Sequence, residues 1–402
     1  MAGKNIAYRE INGLKPSTLV LLGGLAFVLL IGLAAAWHME HSGHYVTGMT
    51  NQIVWGMPHV FAIFLIVAAS GALNIASIGT VFGKGIYKPL GRMSGLLAIA
   101  LLAGGLCVLV LDLGRADRLI IAMTHYNFKS IFAWNIILYS GFFGLVGVYL
   151  WTMMDRKVGA FNKSVGFAAF IWRLILTTGT GSIFGFLVAR QAYDEAVMAP
   201  LFIAMSFAFG LAIFLPVLLL ACKLEDRPVG DLLIERLRRL LAVFVASVLY
   251  FVAAYHLTNL YAAEHAGVER FILADGGVYT MLFWVAQILL GTLLPLVILL
   301  NPQSNSITAT LLACALVVIG GLAQVYIIVI GGQAFPLVLF PGQEVTSTFF
   351  DGVVNPYAPS MAEIALGVGG VALALLITFV AMALLRFLPE TLEDAAIDPH
   401  AK

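Results

Sequence analysis

Ten long apolar runs, separated by short polar connections, constrain this chain more than any other feature. They cover residues 17–37, 53–81, 93–114, 131–154, 165–189, 200–222, 240–262, 278–300, 307–331 and 361–387. Crossing hydrocarbon about 30 Å thick takes about 20 predominantly apolar helical residues. In lipid a segment must satisfy its own backbone, so only helices and closed barrels span. Runs rich in Leu, Ala, Gly and Phe lack the alternation of barrel strands, which predicts helices. With 61% hydrophobic and 11% charged residues and a mean hydropathy of +0.99, a soluble globular class is excluded. The expected fold is all-α and integral to the membrane: one polytopic domain over residues 1–402 with ten transmembrane helices.

Aligning Leu96-Leu97-Ala98 of the third span with Leu240-Leu241-Ala242 of the seventh sets Asp112 opposite His256. That weak internal repeat predicts two four-helix bundles, spans two to five (residues 53–190) and six to nine (residues 200–331). The first and tenth helices would be peripheral. The first run is longer than the 7 to 15 residues of a signal h-region, so a retained helix is expected.

Lys and Arg accumulate in cytoplasmic connections. With both termini inside, sixteen of the 22 Lys and Arg lie in inner segments and five in outer ones. Three of those five, Arg115, Arg118 and Lys129, fall between residues 112 and 135 (DLGRADRLIIAMTHYNFKSIFAWN). This stretch also carries two acids, a histidine, a tyrosine and two asparagines between apolar spans. Polar and ionisable groups at a membrane boundary are costly, and a dense cluster marks a ligand, ion or proton site. Pairing of the bases with Asp112 and Asp117 is the structural alternative. Cys107, Cys222 and Cys314 stand singly in apolar runs, which excludes a cysteine-ligated cluster or disulfide framework within the chain.

At 1.5 Å per helical residue, His59, Asp112 and His256 all fall in the outer half of their spans. Asn51 and Trp55 precede His59, while His125, Tyr126, Asn127, Ser130 and Trp134 lie in or just past the next outer connection. The outer ends of spans two to four therefore converge on one expected pocket, roofed by Trp55, Tyr126, Phe128 and Trp134, with His59 and Asp112 at its floor. Such a pocket suits an amphipathic ring with two oxygens, a quinol. Oxidising a quinol removes two protons with two electrons, and needs acceptors that titrate near working pH. Histidine does so unperturbed, and a carboxylate drawn out of water moves toward that range. His59 is assigned to bond a quinone oxygen and take its proton, Asp112 to relay it outward, and Tyr126 or Asn127 to hold the ring. The bland alternatives are an interhelical hydrogen bond for His59 and a salt-bridged helix cap for Asp112.

The runs WGMPHVFAIFLIVAASGALN, YKPLGRMSGLLAIALLAGGLCVLVLDLGR, YNFKSIFAWN, FWVAQILLGTLLPLVILLNP and GGLAQVYIIVIGGQ together resemble the NrfD/PsrC family of quinone-reactive membrane subunits. The likeness covers nearly the whole chain and is closest to the branch of the P subunits of sulfite-reductase-associated DsrMKJOP complexes. It implies a subunit without haem or cluster, using menaquinone or ubiquinone as substrate near the periplasmic ends of the first bundle. It also implies a periplasmic four-cluster iron-sulfur partner, other subunits of a Dsr-type complex, and residence in the bacterial cytoplasmic membrane. The family's site maps here to Asn51 through His59, to Asp112 with Arg115, and to Tyr126 through Ser130. Arg115 and Lys129 would then serve an acidic partner surface or pair with Asp112.

Two rival classes use different residues. A b-type cytochrome would ligate one haem with His59 and His256, and a secondary transporter would bind substrate at a helix interrupted near TTGTGSIFG, residues 177–185. Elsewhere, Arg173 is expected to snorkel to the cytoplasmic interface, and Arg190, Asp194 and Glu195 to form a solvated loop. Residues 223–239 read as a basic amphipathic surface helix suited to lipid headgroups. Residues 332–360 read as an irregular lid, and the acidic tail after Pro389 as loose.

Overall fold

The computed structural model describes residues 6–304, 306–337 and 352–397. Among them, ten helices are long and apolar enough to cross a membrane: α1 Pro16–Ser42, α2 Met57–Thr80, α3 Gly85–Leu111, α4 Ile131–Met154, α5 Gly159–Gly185, α6 Met198–Leu224, α7 Asp231–Tyr261, α8 Val278–Leu300, α9 Ile307–Ala334 and α10 Met361–Leu384. Each expected span has its helix. α2 breaks its hydrogen-bond ladder at Leu73, but that residue keeps helical φ and ψ, so the rod continues.

Burial ranks these helices. In α2, 94% of the most apolar window is inside the protein, against 11% in α1. α2 packs against α3, α5, α6, α9 and α10, while α1 leans on α10. Contacts α2–α3, α3–α4, α4–α5 and α5–α2 close one ring, and α6–α7, α7–α8, α8–α9 and α9–α6 close another. The rings meet where α2 touches α6 at Gly71 and Gly210. A methyl on Gly71 would lie 1.6 Å from the Ser206 carbonyl oxygen, and one on Gly210 would lie 2.2 Å from the Ala72 nitrogen. Lipid tails are as apolar as Leu, so helix association here rests on close packing, which small residues permit.

The first and last described segments meet at one face of the molecule, the terminal face. Strand β1, Tyr8–Arg9, pairs antiparallel with β2, Leu388–Pro389. Arg227 clamps them, donating to the carbonyls of Arg9, Glu10, Leu388 and Pro389. The tail after Pro389 is correspondingly not loose through its described part: Leu392 and Ile397 are buried, and Asp394 accepts a bond from the Leu232 nitrogen. The expected surface helix over 223–239 is also corrected. Residues 231–239 are the first turns of α7, and Arg238 turns inward to the carbonyls of Ile298 and Asn301. Much of the expected lid, residues 338–351, lies outside the described residues.

Gly210→Ala is expected to lower stability by about 1–3 kcal/mol through overpacking. Gly24→Ala, whose methyl would meet nothing within 4 Å, should leave it nearly unchanged. Thermal denaturation of the two purified variants checks this.

Candidate functional site

At the face opposite the chain termini, the segment leading into α2 is tied down by side chains remote in sequence. Gln333, at the end of α9, accepts from the Val54 and Trp55 nitrogens at 2.9 and 3.0 Å and donates to the Trp55 and Val329 carbonyls at 3.0 and 2.7 Å. Arg190 bridges the Gln333 and Gln52 carbonyls. On the other side, Glu363 completes a capping box with Ser360 at the start of α10. It also accepts from the Gly48 nitrogen at 2.8 Å and the Tyr357 hydroxyl at 2.6 Å. That hydroxyl takes the Met57 nitrogen at 2.7 Å. Burial, and then the neighbouring Glu363 carboxylate, push the Tyr357 phenol well up, which keeps it a donor. Pro58 falls in the first turn of α2, where its missing N–H costs nothing. Trp55 and His59 are thereby fixed at the head of the most buried helix.

Below them α2, α3, α4 and α5 enclose a cavity of about 400 Å³, within the range of ligand pockets. Trp55, Phe132, Leu119 and Met123 cover its outer end, Ile63, Ile66 and Leu106 line its depth, and Asn135 and Tyr139 enter from α4. Trp55 stacks on His59 with centroids 6.2 Å apart and meets Phe132 and Phe184 at 6.0 Å. His59 is the ionisable side chain on this wall apart from the Tyr139 phenol. Its Nδ1 lies 2.8 Å from Asp112 Oδ2, and the Asp112 side chain is fully buried behind it. The contact is close without hydrogen-bond alignment: neither Asp112 oxygen has an aligned donor among the described residues. The imidazole therefore faces the cavity with a carboxylate at its back, which leaves Nε2 as the nitrogen available to a ligand. After Asp112, Gly114 turns the chain at φ 64°, a conformation that favours glycine, and the His44 ring packs where a side chain would stand.

The structure thus brings Trp55, His59 and Asp112 together, and distributes the other expected residues around the rim. Arg115 binds Asp117 rather than Asp112, with two bonds of 3.0 Å, and holds that exposed carboxyl below its ordinary range. His125 is exposed beside the Thr124 hydroxyl, and Asn127 caps the Lys129 nitrogen. Tyr126 stacks near Phe128, and Trp134 donates to the Phe128 carbonyl, forming an aromatic cluster away from the cavity lining. Ser130 precedes α4, and Asn51 is exposed. Sequence alone singles out neither Tyr139, Gln333 nor Glu363 and gives Asn135 no role, because each acts through long-range contact.

Three other expectations are corrected. Arg173 is fully buried instead of snorkelling: it donates to Asn74 Oδ1 at 2.8 Å and lies between the Phe170 and Phe207 rings, each 4.9 Å away. Of Arg190, Asp194 and Glu195, Asp194 is exposed as expected, but Arg190 bonds inward and Glu195 is buried, where burial raises its carboxyl. Residues 177–185 continue α5 without interruption, with Thr177 and Thr180 bonded back to carbonyls one turn earlier. His59 and His256 line different cavities, so the pair does not fit a single haem between them. Among the described residues no group of three or more His, Cys, Asp or Glu side chains converges as a metal site.

The family model described as polysulphide reductase, NrfD, matches residues 45–337. The chain is 28% identical over 401 residues to the Hdr-like menaquinol oxidoreductase integral membrane subunit of Archaeoglobus fulgidus, covering 98% of this chain and 99% of that one. It is 24% identical over 312 residues to the C chain of polysulfide reductase from Wolinella succinogenes, covering 71% and 96% respectively. Protein NrfD of Escherichia coli is likewise 24% identical over 315 residues, covering 70% and 96%.

Gln333→Leu strands the backbone groups of residues 54 and 55. The expected cost is about 1–3 kcal/mol, read as a lowered Tm.

Proposed function

Because this chain belongs to the NrfD polysulphide reductase family, we propose that it is the quinone-reactive membrane subunit of a multi-subunit oxidoreductase, and that the cavity beneath Trp55 is where the quinol reacts. The carrying observation is the His59 imidazole on the cavity wall with the buried Asp112 carboxylate 2.8 Å behind it. The likeness to the menaquinol oxidoreductase membrane subunit of Archaeoglobus favours menaquinol as the substrate class.

A quinol ring fits the aromatic end of the cavity, and an apolar tail fits its aliphatic depth. The two hydroxyl protons leave in turn through His59 Nε2, with Asp112 stabilising each imidazolium as it forms and relaying its proton outward before the next transfer. On the far wall, Tyr139 and the Asn135 amide are placed to bond the second oxygen, although both Asn135 amide hydrogens already meet the Ile131 and Gly179 carbonyls. The Tyr139 hydroxyl likewise already meets the Thr180 side chain. The two electrons leave to a partner subunit, since this chain offers no cysteine cluster.

The partner is an iron-sulfur subunit docked over the cavity's outer end. Exposed Arg118 and Lys129, with Ile120 and Phe128 beside them, support a mixed basic and apolar contact there. The excess of Lys and Arg in connections on the side of the chain termini favours a cytoplasmic terminal face and a periplasmic site. The relation to the polysulfide reductase subunit favours a role in sulfur metabolism, and the proposed assembly is a Dsr-type complex.

In membranes that retain the assembled complex, His59→Ala is expected to lower quinol oxidation by about 10²-fold or more, and Asp112→Asn by less. Ile136→Trp, which fills the cavity from α4, should abolish binding of a quinol analogue, read by titration of the purified complex. Unchanged turnover in His59→Ala and Asp112→Asn would overturn the assignment and move the search to the cavity beside His256.

A further inference from the structure

A second histidine–carboxylate pair lies in the other ring of helices. His256, near the end of α7, places Nδ1 2.7 Å from Glu269 Oε2. Glu269 is wholly buried and also accepts from Asn259 Nδ2 at 3.0 Å. It is delivered by the short helix Ala266–Arg270 that follows α7. An isolated carboxylate in such surroundings is so costly that it must be paired or protonated.

Two small cavities continue from this pair into the membrane. The first, about 30 Å³, is lined by His256, Gln287 and Gln324, and the second, about 10 Å³, shares both glutamines and reaches Thr292. A water needs about 10–15 Å³ and two to four polar partners, so the first suits two waters and the second one. Neither admits a quinone ring. Gln324 Nε2 is buried without a hydrogen-bond partner among the described residues, so it lacks the acceptor a water would supply. The backbone is also unusual here. Among the described residues three π-helical segments occur, Phe271–Asp275, Leu282–Leu293 and Ile327–Gly331, and each borders the first cavity, through Ile272, Gln287 and Ile327. Such wide turns are rare and recur at functional sites.

The ionisable groups facing the pair come from the neighbouring elements. Glu195 and Tyr193 lie on the connection into α6, and Tyr255 on α7 donates to the Ala192 carbonyl. His265 sits 2.8 Å from the Gln191 carbonyl, and exposed Arg270 is engaged by Asp275. Among the described residues the largely buried bases here are the His256 and His265 imidazoles.

We propose that the His256–Glu269 pair is a second, internal proton-binding site, joined to water held between Gln287, Gln324 and Thr292, that takes up and releases a proton independently of the His59 cavity. The step is proton transfer alone. A proton from solution is relayed through the cavity water, which gives one proton to His256 as it accepts another, and the pair passes from neutral imidazole with carboxylate to a net neutral couple; nothing is oxidised or reduced.

Infrared difference spectra of the full chain between two pH values, in water and in deuterated water, test this. The expected result is a set of exchangeable carboxyl and imidazole bands that persist in His59→Ala and vanish in Glu269→Gln. Gln324→Leu, which dries the cavities without touching the pair, should keep the bands but slow their deuterium exchange. Bands unchanged in Glu269→Gln, or lost in His59→Ala, would overturn the proposal. If Glu269→Gln does not fold, Gln324→Leu decides: exchange as fast as in the unaltered chain would overturn it.

Discussion

The contact of α2 with α6 at Gly71 and Gly210 is what the rest of the architecture hangs on. Two backbones meet there with no side chain between them, and that approach holds α2 at the centre, walled by five other helices. A helix so placed must satisfy every polar group it carries within the protein, because no lipid or water reaches it. Ser70 and Asn74 are satisfied by Arg173, and Thr177 bonds back to Ser70. His59 meets Asp112 on one side and faces open space on the other. The cavity exists because α3, α4 and α5 close around the head of α2 without filling the space beside it.

The same economy explains why acids and histidines occur in pairs. A carboxylate buried alone would be neutral at working pH or would destabilise the fold. Next to an imidazole it is tolerated, and the couple can exchange a proton at little cost in net buried charge. Two such couples stand near the same face, His59 with Asp112 and His256 with Glu269. They differ in what surrounds them: an aromatic-walled space large enough for a ring in one, and amide-lined spaces sized for water in the other. The same pairing of side chains stands beside spaces of very different volume.

Much of the site was legible in the sequence, in the sense that His59, Asp112 and Trp55 stood out as polar or aromatic residues in apolar runs. Their depth followed from the helical rise alone. The rim residues Arg115, His125, Tyr126 and Asn127 stood out for the same reason, but polarity does not tell a cavity wall from a solvated margin. Arg115 illustrates this: the choice between Asp112 and Asp117 depends on the turn at Gly114, which spacing does not reveal. Arg173 and Glu269 were harder still, since a charge in an apolar run reads as snorkelling or as loop until its partner on another helix is known.

By itself the sequence determined the class, the number and length of the helices, and the accumulation of ionisable groups toward one end of them. These depend on local composition measured against the thickness of the membrane, and neighbouring residues suffice for that. Only the tertiary structure decided which charges pair, which glycines touch, and where the helices leave a cavity. Those depend on contacts between different elements, from His59 with Asp112 and Gly71 with Gly210 to Gln333 with Trp55 and Glu363 with Gly48, and helical periodicity carries no record of them.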